Sequence, residues 1–158
     1  MINENWINYN FTNFPQKSNL EDFIKVRKYL IELARNESIN TISYERLIAD
    51  CNISCDLSLN KYIITNILTD ILFYEFVNNR GFLTSLVVSV TTGIPSFYFY
   101  VLVNEYEKDK YGLEDRIIFN NTKSQVINFW KNDDNYNDYK EYKSFYLLKK
   151  EYYKRNLK

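Results

Sequence analysis

The sequence contains no histidine among its 158 residues. This absence excludes Ser-His-Asp and Cys-His nucleophile systems, His-ligated zinc, and imidazole as a general acid or base. Glycine is scarce, with three residues, and no glycine-rich loop is present to cradle phosphates. Catalysis would have to rest on Asp, Glu, Lys, Tyr or Cys. The sequence therefore predicts a protein that is not an enzyme, with no catalytic, cofactor-binding or metal-binding residues and no cofactor.

Cysteine is also rare, with Cys51 and Cys55 the two present. A disulfide between them would close a very small loop, so we predict two reduced thiols, as is usual in the cytosol. The first residues are polar and lack the pattern of a secretory signal. The longest apolar stretches, near 82–90 and 94–103, are about half the roughly 20 residues of a membrane helix. We therefore expect a cytoplasmic protein with no membrane partner.

The chain also lacks an excess of either sign of charge, because 20 basic residues balance 20 acidic ones. A broad attraction to nucleic acid is therefore not expected, although a local basic patch stays open. Apolar residues make up 46% of the chain, enough for one folded domain. The 15 tyrosines and 11 phenylalanines partly indicate an AT-rich genome. The remaining aromatic residues must be buried or used at an interface.

The chain divides into an extended aromatic arm, residues 1–17, and a single globular domain, residues 18–158. Trp6, Tyr9 and Phe11 are spaced along the arm by polar residues. Such an arm either packs back on its own domain or contacts a partner.

Apolar residues at helical spacing predict most of the secondary structure. Capping residues at Ser18 or Asn19 and at Ser58, and a stop at Gly81, delimit two of the helices. Alternation predicts a strand over 82–90, with apolar residues on one face and Ser85 and Ser89 on the other. Residues 97–106 fit either a strand or a helix, and 132–137 is a polar break. The predicted helices cover 20–35, 43–51, 58–78, 123–131 and 138–156.

Residues 40–131 resemble an uncharacterised bacterial winged-helix-like module. Its pattern has a Thr-Tyr helix entry, a helix ending in Ile-Leu and Tyr-Glu pairs, an apolar strand, a Thr-Gly turn, a Pro-Gly step and paired aromatic residues. The chain departs from it at Ser96 and Tyr98, where the family usually has glycine. The matching residues are Thr41, Tyr44, Leu47, Ile67, Leu68, Ile71, Tyr74, Glu75, Arg80, Gly81, Leu83, Ser85, Leu86, Val87, Val88, Thr92, Gly93, Pro95, Phe99, Tyr100, Leu102, Phe129 and Trp130.

This resemblance implies an α+β, helix-dominated fold with a winged-helix-like core, a short β-ribbon and additional C-terminal helices. The ribbon would be formed by 82–100. The resemblance also implies a part in bacterial defence or restriction-associated systems. The family carries no settled activity, so no site residues follow from it.

The last predicted helix combines basic and aromatic residues. Lysines bind phosphates and aromatic rings stack on bases, so nucleic-acid binding is one interpretation. A helix that buries an aromatic face and solvates its lysines is the simpler one. The nucleic-acid candidates here are Lys149, Lys150, Lys154 and Arg155, and the protein-binding candidates are Tyr142, Tyr146 and Tyr153.

The helices predicted at 43–51 and 58–78 could also form a helix-turn-helix pair. A DNA-reading helix exposes polar or basic residues near its start, where this chain has Asn60 and Lys61. Winged-helix folds also dock proteins, so the fold does not decide the function.

Two acidic motifs have simpler explanations than catalysis. Glu75 lies beside Arg80 in the sequence, and such a pair is more often a structural ion pair than a catalytic acid. Glu141 and Lys143 match the E-x-K piece of metal-dependent nucleases, but within a segment that favours a solvated helix.

The sequence as a whole predicts a non-enzymatic protein-interaction or regulatory module of a bacterial system, with phage defence or toxin immunity as the context. The expected partner is another protein, which includes a second copy of the chain. The alternative is a DNA-binding winged-helix regulator that uses the basic C-terminal helix.

Overall fold

The computed structural model describes residues 14–15, 17–106 and 113–156. Trp6, Tyr9 and Phe11 of the predicted arm lie outside the described residues. Within these ranges the fold is dominated by helices, as predicted, and none of the helices is long and apolar enough to cross a membrane. The elements are α1 (Leu20–Arg35), β1 (Ile42–Ser43), α2 (Tyr44–Asp50), α3 (Tyr62–Val77), a 3-10 helix (Leu83–Leu86), β2 (Val87–Val88), α4 (Phe97–Tyr106), α5 (Asp115–Lys131), α6 (Asp133–Tyr139) and α7 (Phe145–Asn156).

Local capping sets the start of the first two helices. The side chain of Asn19 accepts a hydrogen bond from the backbone N–H of Asp22 and begins α1 at the predicted residue. The side chain of Ser43 does the same for the N–H of Arg46 at the start of α2. Both helices are therefore confirmed.

The third helix is shorter than predicted. It begins at Tyr62 rather than at residue 58, because Ser58 bonds to Asp56 in a turn instead of capping a helix. It ends at Val77, and Gly81, with φ of 88°, follows after a separate turn. The predicted Ser58 cap is therefore wrong, while the apolar centre of the helix is confirmed.

The strand predicted over 82–90 is mostly wrong. Residues Leu83–Leu86 form a 3-10 helix, and β2 pairs in parallel with β1, with Ile42 opposite Val87 and Ser43 opposite Val88. Ser85, expected on the face opposite the apolar residues, is 0% exposed, like Leu83 and Leu86 around it. The segment packs against α1, α3 and α5, which offer no strand edge. The backbone of this segment therefore forms hydrogen bonds within the segment. For example, the N–H of Ser85 donates to the carbonyl of Phe82 (2.9 Å).

The β-ribbon predicted over 82–100 is not formed. Residues Phe97–Tyr106, which fitted either a strand or a helix, are the helix α4. The two-stranded sheet is parallel and joins segments far apart in the chain, so it is not a ribbon around the 91–95 turn. The winged-helix-like arrangement as a whole stays a prediction.

Additional C-terminal helices are present, with different boundaries. The helix predicted over 123–131 extends back to Asp115 as α5. The predicted polar break at 132–137 is wrong, because Asn132 caps α6 through the N–H of Asn135. The helix predicted from residue 138 begins at Phe145 as α7.

The main hydrophobic core lies between α1, α3, α5 and the 3-10 helix. Trp130, at the end of α5, is fully buried in it. A smaller cluster forms where α4 meets α3 and α5, around Phe82, Phe99 and Phe119. The 3-10 helix thus lies at the centre of the molecule.

The end of the predicted arm is attached to this core. Phe14 packs edge-on against Phe23 and Phe145. Asp70, 5% exposed on α3, accepts hydrogen bonds from the backbone N–H groups of Lys17 (3.0 Å) and Ser18 (2.8 Å). The boundary drawn between arm and domain at residues 17 and 18 stays a prediction.

We predict that Asp70→Ala lowers the free energy of unfolding by about 1–3 kcal/mol, because it leaves backbone donors without their acceptor. Urea unfolding followed by circular dichroism measures the change. Glu37→Ala, at an exposed position, is the control and should change little. A loss of stability no larger than that of the control would contradict the role given to Asp70.

Candidate functional site

A buried cluster of three charged residues lies between α1 and α3. Glu75 is 0% exposed, and its Oε1 accepts a hydrogen bond from Arg27 Nε (2.6 Å). Its Oε2 accepts one from Arg80 Nε (2.6 Å), and Arg80 Nη2 reaches Oε1 at 3.3 Å. The remaining nitrogens of Arg27 donate to the carbonyls of Tyr139 (2.8 Å) and Lys140 (2.9 Å). The cluster therefore connects α1, α3 and the end of α6.

The charges in this cluster stabilise one another. Burial by itself raises the pKa of Glu75, but Arg27 and Arg80 outweigh burial and hold that pKa below its usual value. Burial by itself lowers the pKa of Arg80, and Glu75 outweighs it in turn. Because Glu75 stays ionised with both oxygens occupied, it has the properties of a structural carboxylate.

The Glu75–Arg80 pair predicted from the sequence is thereby confirmed, but the second partner, Arg27, was missed. A signal for it was present: Arg27 occupies an apolar position in the buried stripe of α1. A charged residue in such a stripe requires a buried counter-charge.

A cavity of about 230 Å³ opens beside Arg80, and we name it the charged cavity. Its walls come from the end of α3, the end of α6, the segment joining α6 to α7, and one face of α7. The lining residues are Tyr74, Arg80, Asp138, Tyr139, Glu141, Lys143, Leu148, Glu151 and Arg155.

α7 has two different faces. Leu148, Glu151 and Arg155 line the charged cavity. Tyr146 and Tyr153 lie on the other face, 73% and 40% exposed respectively. Lys150 and Lys154 are also exposed, and Lys149 is half-buried.

These positions divide the candidates named from the sequence. Tyr146, Tyr153, Lys150 and Lys154 lie together on the outward side of α7, whereas Arg155 contributes to the cavity. The four basic candidates therefore do not form one continuous surface.

Tyr142 is placed differently from the other tyrosine candidates. It is half-buried, with its ring against Phe23 (5.5 Å between centroids) and Tyr74 (5.4 Å). Burial raises its pKa to about 12. Tyr142 therefore packs on the core, which leaves less of it available to a partner than of Tyr146 and Tyr153, and its role in partner binding stays a prediction.

The two candidates before α3 also separate. The side-chain oxygen of Asn60 accepts the N–H of Asp56 (2.6 Å) and so stabilises a turn. Lys61 is exposed and lines the hollow described next.

Two adjoining hollows, of about 190 and 30 Å³, lie where α2, α3 and α4 begin. Both are lined by Tyr44, Thr65 and Ser96, and we name them together the α4 groove. The hydroxyl of Tyr44 accepts the N–H of Ser96 (2.9 Å) and so joins the two helix starts. No acidic residue is among the described residues that line it.

Two large aromatic residues next in the chain to residues that line the α4 groove are exposed. Phe97, which follows Ser96, is 79% exposed, and Tyr62, which follows Lys61, is 64% exposed, while Tyr98 lines the smaller hollow. Tyr62 lies three residues before Thr65 on α3, so the two share a helix face. This surface was missed from the sequence, because it depends on residues 97–106 forming a helix.

The remaining chemical motifs do not form a site. Glu141 and Lys143 lie in the segment between α6 and α7, outside any helix. The part of the chain that the structure describes contains no group of three or more acidic or cysteine residues arranged to hold a metal ion. Cys51 and Cys55 are free thiols, as predicted, and burial raises the pKa of Cys51 to about 11.

Comparison with known proteins finds no match of this chain to a family model, to a curated protein or to a solved structure.

We predict that Glu75→Gln lowers the free energy of unfolding by about 3–5 kcal/mol at pH 7, because it leaves two buried guanidinium groups without their counter-charge. The folded-state pKa of Glu75 lies below the ordinary value of 4.5. Its stabilisation is therefore complete above that value and is lost as the pH falls through the folded-state pKa. The difference between wild type and variant should thus shrink in acid.

Urea unfolding of both proteins at pH 7 and at acidic pH measures this difference. Glu37→Gln serves as the exposed control. A stability difference that is the same at every pH would show that the Glu75 charge does not stabilise the fold.

Proposed function

We propose that this chain is a non-enzymatic protein-interaction module and that the α4 groove receives its partner. The supporting observation is that the exposed Phe97 and Tyr62 adjoin in the chain Ser96 and Lys61, which line the groove. Exposed apolar surface beside a groove is typical of a binding site. Exposed aromatic residues next to a pocket are typical of the residues that dominate binding energy.

The composition of the groove favours a particular kind of segment. Tyr44, Thr65 and Ser96 place hydroxyl groups inside it, and aromatic rings border it. Lys61 is the charged residue that lines it in the described part of the chain. The partner is therefore a protein segment that inserts an apolar side chain and places an acidic group near Lys61.

The resemblance of residues 40–131 to a bacterial winged-helix-like module supports the same proposal. Ser96 and Tyr98, where the chain departs from that pattern, both line the α4 groove. The groove is thus a feature in which this chain differs from the module that it resembles. The proposed setting is a bacterial defence or toxin-immunity system in the cytoplasm, with a larger component of that system as the partner.

We expect the double variant Tyr62→Asp and Phe97→Asp to lose the partner while keeping its fold, because both side chains are exposed. The test is tagged purification from the native organism, with nuclease treatment and mass spectrometry. Ile39→Asp is the matched control, since Ile39 and Tyr62 are each 64% exposed and Ile39, unlike Tyr62 and Phe97, does not adjoin in the chain a residue that lines the groove.

A protein retained by wild type and by the control, but lost from the double variant, is the expected result. A monomer that retains no protein from native extract would contradict the interaction module. A partner retained equally by all three proteins would contradict the assignment to the α4 groove.

The alternative is a DNA-binding winged-helix regulator that uses α7. The observation in its favour is the outward face of α7, where Lys150 and Lys154 alternate with Tyr146 and Tyr153 and all four are exposed. Cations contact phosphates and rings stack on bases, so such a face suits nucleic acid. Lys149 and Arg155 contribute less to this proposed DNA-binding surface, since Lys149 is half-buried and Arg155 lines the charged cavity.

If α7 binds DNA, Lys150→Glu with Lys154→Glu should abolish binding, and wild-type affinity should fall steeply with salt as counterions are released. Fluorescence anisotropy at several salt concentrations measures both effects. Lys28→Glu with Lys131→Glu, two exposed lysines on other helices, is the matched control. Binding that survives the α7 reversal would rule out this surface.

A further inference from the structure

Arg80 has hydrogen-bond donors left over beside a cavity. Its Nε and Nη2 form a side-on pair with Glu75, and the hydroxyl of Tyr74 is a further hydrogen-bond partner of the guanidinium. Described residues thus use three of its five N–H donors, and two are left. Such donors bind a carboxylate through charge-assisted hydrogen bonds. Arg80 is 5% exposed and lines the charged cavity.

The guanidinium of Arg80 is also held in place before any ligand arrives. Its central carbon lies 5.0 Å from the ring centre of Tyr74 and 5.5 Å from that of Tyr139. Glu75 neutralises one of the two arginines, Arg27 and Arg80, so the buried cluster keeps one uncompensated positive charge. A pre-positioned, partly desolvated cation of this kind attracts an anionic group.

The opposite charge is available in the same cavity. Asp138 and Glu141 line it, are exposed, and form no ion pair with described residues. Lys143 and Glu151 form an ion pair with each other at 3.3 Å, so their charges largely cancel. The cavity therefore presents the buried guanidinium of Arg80, the unpaired carboxylates of Asp138 and Glu141, and the exposed guanidinium of Arg155.

The size of the cavity limits the ligand. Its volume of about 230 Å³ is below the roughly 300–1,000 Å³ of pockets for drug-sized molecules. A nucleotide is therefore too large to be enclosed. Leu148 and the ring of Tyr139 supply apolar surface for the uncharged part of a small molecule.

We propose that the charged cavity binds a small zwitterion of amino-acid size. Its carboxylate pairs with the remaining donors of Arg80, and its ammonium group pairs with Asp138 and Glu141. The apolar walls receive its side chain. This proposal is independent of the α4 groove, because no described residue lines both sites.

The test is titration of the full chain with the free amino acids, followed by two-dimensional NMR and calorimetry. Each amino acid that binds is compared with its analogue lacking the ammonium group and its analogue lacking the carboxylate. We expect saturable binding of at least one amino acid, and an affinity lower by about tenfold or more for both analogues, because each loses a charge-assisted hydrogen bond.

Asp138→Asn with Glu141→Gln is the informative variant, because both side chains are exposed and the fold should persist. It should weaken amino-acid binding by about tenfold or more. Asp134→Asn with Glu37→Gln, which removes two exposed acids outside the cavity, should leave binding unchanged. Arg80→Lys tests the proposed contact between Arg80 and the carboxylate of the ligand. The free energy of unfolding of this variant is measured as well.

The proposal is overturned if no amino acid perturbs resonances of the residues that line the cavity. It is also overturned if the carboxylate-only analogue or inorganic phosphate binds as tightly as the amino acid, or if the Asp138/Glu141 variant binds like wild type.

Discussion

The carboxylate of Glu75 joins parts of the chain that are distant in sequence. Through Arg27 it connects α3 to α1, and through Arg80 it holds the segment that leads into the 3-10 helix. The other nitrogens of Arg27 bond to the carbonyls of Tyr139 and Lys140, which end α6. Burying these charges is costly unless every one is paired and hydrogen-bonded. The positions of the surrounding helices are therefore constrained to those that satisfy all three groups at once.

The two candidate surfaces follow from this arrangement. Because the end of α6 is bonded to Arg27, the chain that continues to α7 passes over Arg80 and encloses the charged cavity there. The hydroxyl of Tyr74 bonds to both the N–H and the carbonyl of Lys143 at 3.1 Å and so anchors the same connection. One face of α7 thus lines the cavity, while Tyr146 and Tyr153 remain exposed. The central 3-10 helix directs the chain towards α4, at whose start Ser96 and Tyr98 line the α4 groove.

Several local features of the fold followed from the sequence. Asn19 and Ser43 cap their helices through hydrogen bonds within three residues, so α1 and α2 begin within a residue of where they were expected. The Glu75–Arg80 pair was recognised for the same reason, since its members are close in the chain. Of the partner-binding candidates on the last helix, Tyr146 and Tyr153 are exposed and Tyr142 packs on the core, and partner binding by all three stays a prediction.

The sequence by itself determined which segments have strong local signals: helix caps, apolar helical stripes and a close charge pair. Only the tertiary structure decided the conformation of 82–88 and 97–106. Their β-branched and aromatic residues favour strands, but one segment is enclosed by three helices and the other packs on α3 and α5 as a helix. Likewise, only the fold brings Arg27 to Glu75, 48 positions along the chain. The reason is that hydrogen-bond and charge satisfaction in a buried segment depends on its neighbours in space, which sequence periodicity does not contain.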